Sequence, residues 1–227
     1  MIVGISGVAG SGKGTAADFL VRNHGFVKVA LADPIKRTVQ DVFGFTEWQL
    51  WGPSEARNAP DTRYPRKHGP FSQMSFSCPC CRVDFNPMVE PEDWPQCYLT
   101  PRYALQQLGT EWARNCYQNV WIEYALRVAE KLAAGGYAYT ATSGLRINLD
   151  LGEASVVVPD LRFKNEVDAF RKAGAKLVRI VRPGAGIAGQ HVSETEQESI
   201  PDSAFDAVIV NDGTLEELEL KVRAFVQ

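Results

Sequence analysis

Apolar residues in this chain come in two rhythms. Short unbroken runs, IVGIS at residues 2–6, ASVVVPD at 154–160, KLVRIV at 176–181 and DAVIV at 206–210, read as strands buried on both faces. Between them lie stretches with helical spacing: residues 15–24 stopped by Gly25, residues 165–173 stopped by Gly174, and TLEELELKVRAFV, where Thr214 and Glu217 have capping-box spacing. A further short strand is predicted at 26–31. Asp33 is then placed to cap the next helix, with Pro34 at its first position. Alternating strand and helix predict an α/β fold with a parallel sheet flanked by helices.

The rhythm fails twice. From 44 to 100 proline, tryptophan and cysteine accumulate, and this stretch is expected to be an insertion or a substrate-binding flap. Two helices follow, over 101–115 and 120–134, the second ended by Gly135 and Gly136. At 137–152 apolar and polar residues alternate on both sides of Ser143-Gly144, a hairpin expected as a surface excursion.

Composition narrows the class. The chain has 227 residues, 45% apolar, enough for a real core in one globular unit with insertions. A formal charge of -3 argues against a general nucleic-acid binder. Without a charged-then-apolar leader or a run long enough to span a bilayer, the expectation is a soluble cytoplasmic protein with no membrane partner.

The chemistry concentrates first at GVAGSGKGT. Residues 7–13 fit G-x-x-x-x-G-K, in which glycines let the backbone turn its N–H groups toward phosphate oxygens. Gly7, Gly10, Ser11, Gly12, Lys13, Gly14 and Thr15 are therefore nucleotide-binding candidates, with Lys13 a point charge for the outer phosphates. A rival dinucleotide reading uses Gly12, Gly14 and Ala17 with Asp33 as ribose acid. It fails on register, because the strand ends at Gly7, a whole loop before Gly12.

The G-K-G-T order, with LADPIK at 31–36, PRYALQQLGTEWAR at 101–114, VVVPDLRFKNEVDAFRKAGAKLVRIVRPG at 156–184, HVSE and VNDGTLEEL, resembles the deoxynucleoside monophosphate kinases of tailed bacteriophages, a branch of the P-loop kinase fold. The resemblance covers most of the chain but not the cysteine segment or the hairpin. It implies transfer of the ATP γ-phosphoryl group to a deoxynucleoside monophosphate, with Mg²⁺ bridging the ATP phosphates and Thr15 beside it. Small-molecule nucleotides are the implied partners. Related kinases are often dimers, and for a phage-encoded enzyme the host cytoplasm is the expected location.

Phosphoryl transfer needs a phosphate cradle and cations from several segments. Arg102 matches the family's acceptor-phosphate arginine. Asp33, Lys36 or its neighbour Arg37, Gln106, Thr110, Glu111, Arg114 and Trp121 are further acceptor-side candidates, although Trp121 with Tyr124 and Ala125 also makes an ordinary core stripe. Asp160 ends a strand where open sheets bind ligands, and is expected to hold a magnesium-bound water or the acceptor, or to cap a helix. The pattern D-x-R-F-x-N-E runs through Asp160, Arg162, Phe163, Asn165 and Glu166, the last two also suited to start a helix. Arg162 and Arg182 complete the catalytic set. A lid is expected at 183–203, with His191 and Glu194 as its latch. Asn211 and Asp212 fall where related kinases hold adenine, and also suit a turn.

Four of the five cysteines lie between 78 and 97. A structural zinc on Cys78, Cys81 and Cys97, with His68 or Cys80 as fourth ligand, competes with reduced thiols; the missing second Cys-x-x-Cys pair favours the thiols. Two alternatives to the deoxynucleotide kinase stand at this stage: a kinase for another phosphorylated metabolite such as dephospho-coenzyme A, and a nucleotide-binding switch.

Overall fold

A computed structural model describes residues 1–66, 78, 96–185, 197 and 199–227. The chain divides into two compact units, residues 1–34 with 119–227, and residues 35–118.

The first unit is built on a five-stranded sheet of β1 (Ile2–Ser6), β2 (Val27–Lys28), β7 (Val156–Leu161), β8 (Lys176–Val181) and β9 (Ala207–Val210), in the order β2-β7-β1-β8-β9. Every pairing is parallel. The sheet is covered by α1 (Lys13–His24), α7 (Val120–Ala133), α8 (Lys164–Lys172) and α9 (Leu215–Val226). Alternation of side chains along each strand splits the core. Val3 and Ile5 pack with Leu20, Ile180 and Leu218, while Val156, Val158 and Leu161 pack with Ile122, Val167 and Phe170. This is the α/β fold, a parallel sheet flanked by helices, that the rhythm predicted. The Thr214–Glu217 capping box opens α9 as expected.

Two boundaries moved for physical reasons. The strand expected at 26–31 keeps only two residues, because after Val29 donates to the Val157 carbonyl the chain turns away into the segment 30–33. The helix expected at 101–115 is three pieces: α5 (Pro101–Gln106), a π-helical turn (Gln107–Trp112) and α6 (Ala113–Cys116). At Gly109, within that turn, a Cβ would stand 2.9 Å from the Ile35 side chain.

The hairpin is β5 (Tyr137–Thr140) paired antiparallel with β6 (Gly144–Ile147). The second unit contains most of α2 (Asp33–Phe43), then α3 (Glu47–Trp51), α4 (Ser54–Asn58) and a two-stranded sheet of β3 (Asp61–Arg66) and β4 (Cys97–Leu99). Its core gathers Val39, Phe45, Leu50, Cys78, Cys97, Leu99 and Ala104. Among the described residues no helix is long and apolar enough to cross a membrane.

Candidate active site

The glycine turn leaves β1 at the carboxyl end of the sheet. A Cβ on Gly7 would stand 2.5 Å from the Ile180 carbonyl oxygen and from Ser11 Oγ, so only glycine fits between β8 and the returning loop. Gly12, with φ 101°, is the N-cap of α1 and supplies no side-chain cap. The first N–H groups of α1 thus open toward the loop, the arrangement that binds anions. Asn211, just past β9, donates from Nδ2 to the Ser11 carbonyl at 2.9 Å and braces the loop from behind. Lys13 Nζ donates to the Val8 carbonyl at 3.0 Å, which holds the ammonium across the turn. Ser11 Oγ is buried and has no hydrogen-bond partner among the described residues. Thr15 is half-buried on the first turn of α1.

Asp160 is aimed by a bulge. Gly4 pairs with Val158 and Ser6 with Leu161, so Pro159 and Asp160 together oppose Ile5. Proline cannot donate to a ladder, and the bulge accommodates it. Asp160 accepts from the N–H groups of Leu31 at 3.0 Å and Ala32 at 3.2 Å. Burial pushes its proton affinity up; the Leu31 N–H opposes this, the Asp33 carboxylate adds to it, and Arg162 opposes it. Asp33 is itself buried, at 3% exposure. Its Oδ2 accepts from Ala30 N at 3.1 Å and from the Tyr139 hydroxyl at 3.0 Å.

The remaining candidates of this unit are placed as follows. Arg162 is exposed, and its backbone N–H, like that of Phe163, donates to Glu166 Oε2, so Glu166 caps the start of α8. Asn165 donates to Asn119 Oδ1. Arg182 is exposed after β8. Asp212 pairs with Lys221 at 3.0 Å, and that hydrogen bond holds its carboxyl below the ordinary range. Trp121 packs with Tyr124 against the core. His191 and Glu194 lie outside the described residues, as does most of the stretch expected as a lid.

In the second unit Thr100 caps α5 by accepting from Tyr103 N, and Arg102 follows in the first turn. Arg102 donates from Nη2 to Ser54 Oγ at 2.7 Å and from Nε to Asn58 Oδ1. Ser54 and Asn58 stand four apart on α4, one helical turn, so both reach one guanidinium. Lys36 Nζ lies 5.5 Å from the centre of the Trp51 ring. Gln106 is half-buried; Thr110 and Glu111 are exposed on the π-helical turn, and Arg114 is half-buried in α6. Cys78 and Cys97 are buried with their sulfurs 3.7 Å apart. Cys81, Cys80 and His68 lie outside the described residues. Among the described residues no three metal-binding side chains gather.

A family model described as "Deoxynucleotide monophosphate kinase" matches residues 99–222, more than half of the chain. The chain belongs to the deoxynucleotide monophosphate kinase family. Relatives of this kinase extend the likeness to nearly its whole length. A protein of Acanthamoeba polyphaga mimivirus, provisionally given the same name, is 29% identical over 96% of this chain and 91% of its own. The deoxynucleotide monophosphate kinase of Enterobacteria phage T4 is 27% identical, covering 98% of this chain and 97% of its own, and that of Escherichia phage RB69 is 24% identical over 100% and 99%.

Sequence reasoning missed three side chains of this kinase. Ser54 and Asn58 lay in the stretch read as irregular, where the T-x-x-Q spacing of Thr46 and Gln49, a capping box in the structure, was the available sign of helix. Tyr139 lay in a hairpin read as a surface excursion, and no local signal announced its partner 106 residues away.

Proposed function

We propose that this chain transfers the γ-phosphoryl group of ATP to a deoxynucleoside 5'-monophosphate, giving the diphosphate and ADP. The observation that carries the reading, within this family, is the glycine turn between β1 and the uncapped start of α1, with Lys13 folded over it. The backbone N–H groups of residues 7–14 hold the ATP phosphates, and Lys13 neutralises charge on the outer ones. Mg²⁺, a hard cation taking oxygen ligands, suits the Thr15 hydroxyl beside this turn, and when bound it spreads the developing phosphate charge.

Arg102, held by Ser54 and Asn58, takes the acceptor phosphate; Lys36, Gln106 and Thr110 serve the acceptor. Arg162 and Arg182 add positive charge for the moving group, and Asp160 serves at the end of β7. Asn211 is assigned to bracing the loop, since its amide nitrogen already binds the Ser11 carbonyl. The activity is placed in the cytoplasm, that of the host if the chain is phage-encoded. A homodimer enters this reading only through the resemblance. The dephospho-coenzyme A and switch alternatives are not favoured in this family.

For the cysteine segment, the two buried sulfurs 3.7 Å apart are read as reduced thiols sharing a hydrogen bond, with a structural zinc the less favoured alternative. One equivalent of zinc in protein purified without chelator supports a structural ion there; none removes it.

The test of the main reading is ADP formation from ATP and Mg²⁺ with each deoxynucleoside and ribonucleoside monophosphate in turn. Turnover with one or a few deoxynucleotides supports it and names the base. Silence with all of them overturns it.

A further inference from the structure

Tyr139 joins three segments that are far apart in sequence. Its ring is buried at 9% exposure on β5, and a buried phenol needs a partner for its hydroxyl. That partner is Asp33 Oδ2, which also accepts the Ala30 N–H. The next two N–H groups of the same turn, Leu31 and Ala32, hold both oxygens of Asp160. The register pairs Leu161, the residue after Asp160, with Ser6, the residue before the glycine turn.

We propose that Tyr139 is a positioning residue of the phosphoryl-transfer site, acting through Asp33 and the turn at 30–33 to hold Asp160 in place. The inference rests on the kinase reading above and deepens it. It also gives Asp33 a different duty from the acceptor contact expected from sequence, because a carboxylate 3% exposed and bonded to the turn and to Tyr139 shapes the site from inside. The hydroxyl sets Asp33, Asp33 sets the turn, and the turn's N–H pair sets the direction in which Asp160 presents its charge. Hydrogen bonds in such a chain are worth most when every member is satisfied, so removal of the terminal donor is felt at the far end.

The experiment uses Tyr139→Phe, which keeps the ring in the core, and Asp33→Asn, which keeps a carbonyl oxygen for both donors. Tyr139→Phe is expected to lower kcat about fivefold, the equivalent of one lost hydrogen bond, with the KM for ATP within about twofold of the parent. Hydrogen exchange of the Leu31 and Ala32 amides is expected to quicken by a similar factor. In Asp33→Asn the Leu31 and Ala32 amides are expected to exchange within about twofold of the parent, because both donors keep their acceptor. Unchanged exchange at residues 31 and 32 in Tyr139→Phe, or unchanged kcat in that variant, would each overturn the proposal. Amide exchange needs no turnover, so parent protein inactive with every deoxynucleotide would sink the kinase reading while the exchange result still judged the link from Tyr139 to the turn.

Discussion

Two turns of the first unit present backbone N–H groups at the carboxyl ends of β1 and β2, the strands on either side of β7, and they use them in opposite ways. The turn after β2 gives the N–H groups of Leu31 and Ala32 to the protein's own Asp160. The turn after β1 is bent by glycines and backed by Asn211, and among the described residues no carboxylate accepts from the N–H groups of residues 7–12. An N–H cradle filled by an internal anion is a structural joint; one shaped so that no internal anion enters is suited to an external phosphate.

Substitution should separate the two. Lys13→Ala is expected to lower kcat/KM about a thousandfold, as loss of a charge-stabilising group at a reaction centre does, with the melting temperature unchanged. A large fall in melting temperature would make Lys13 a packing residue instead. Gly12→Ala forces a left-handed φ on a side chain and drives a Cβ to 2.5 Å from Asn211 Nδ2, the atom that braces the loop. Titration of ATP binding together with thermal melts should show weaker nucleotide affinity and a loss of about 1–3 kcal/mol in stability.

The joint should respond differently. Asp160→Asn leaves one acceptor oxygen for two N–H donors, and denaturant unfolding at neutral pH should show a loss of about 1 kcal/mol. Its pH dependence sharpens the point. Because burial raises the Asp160 pKa in the fold, the proton-linked part of its contribution is fully present below the ordinary value of 3.8 and fades as pH rises through the raised value, which leaves the hydrogen bonds to Leu31 and Ala32 as the part tested at neutral pH. Asp61 in the second unit runs the other way. Arg63 donates to both its oxygens, at 2.9 and 2.6 Å, and holds it far below 3.8, so its contribution is present above 3.8 and fades as pH falls through the lowered value. Thermal melts across the acid range should therefore lose opposite slopes in Asp160→Asn and Asp61→Asn; equal slopes would refute the assigned causes. Smallest is Asn58→Ala, which removes one acceptor from Arg102 and should raise the KM for the deoxynucleotide about threefold to fivefold while sparing the KM for ATP.

Much of the fold was legible because its signals are local. Buried parallel strands require continuous apolar runs, and the runs at 2–6, 154–160, 176–181 and 206–210 each hold a strand of the sheet. The glycine turn was legible for the same reason: a backbone that must bend at Gly7 and Gly12 tolerates few other residues. The second unit was harder to read. Its helices α3 and α4 are five residues each, too short to display a periodicity, and they stand by packing Leu50 and Ala56 into buried positions. Asp160 was singled out by its position at a strand end, yet its partners could not be read, because Leu31 and Ala32 are 129 and 128 residues away.

By itself, then, the sequence determined the strand and helix order of the first unit, the glycine turn and the family resemblance, all of which rest on periodicity, glycine stereochemistry and short spacings. The tertiary structure decided which charges are engaged. It folded Asp33 inside against Tyr139, gave Asp160 to the turn at 30–33, and set Arg102 between Ser54 and Asn58. Hydrogen bonds between residues tens to hundreds of positions apart form only once burial has fixed the elements that carry them, so no local pattern announces them.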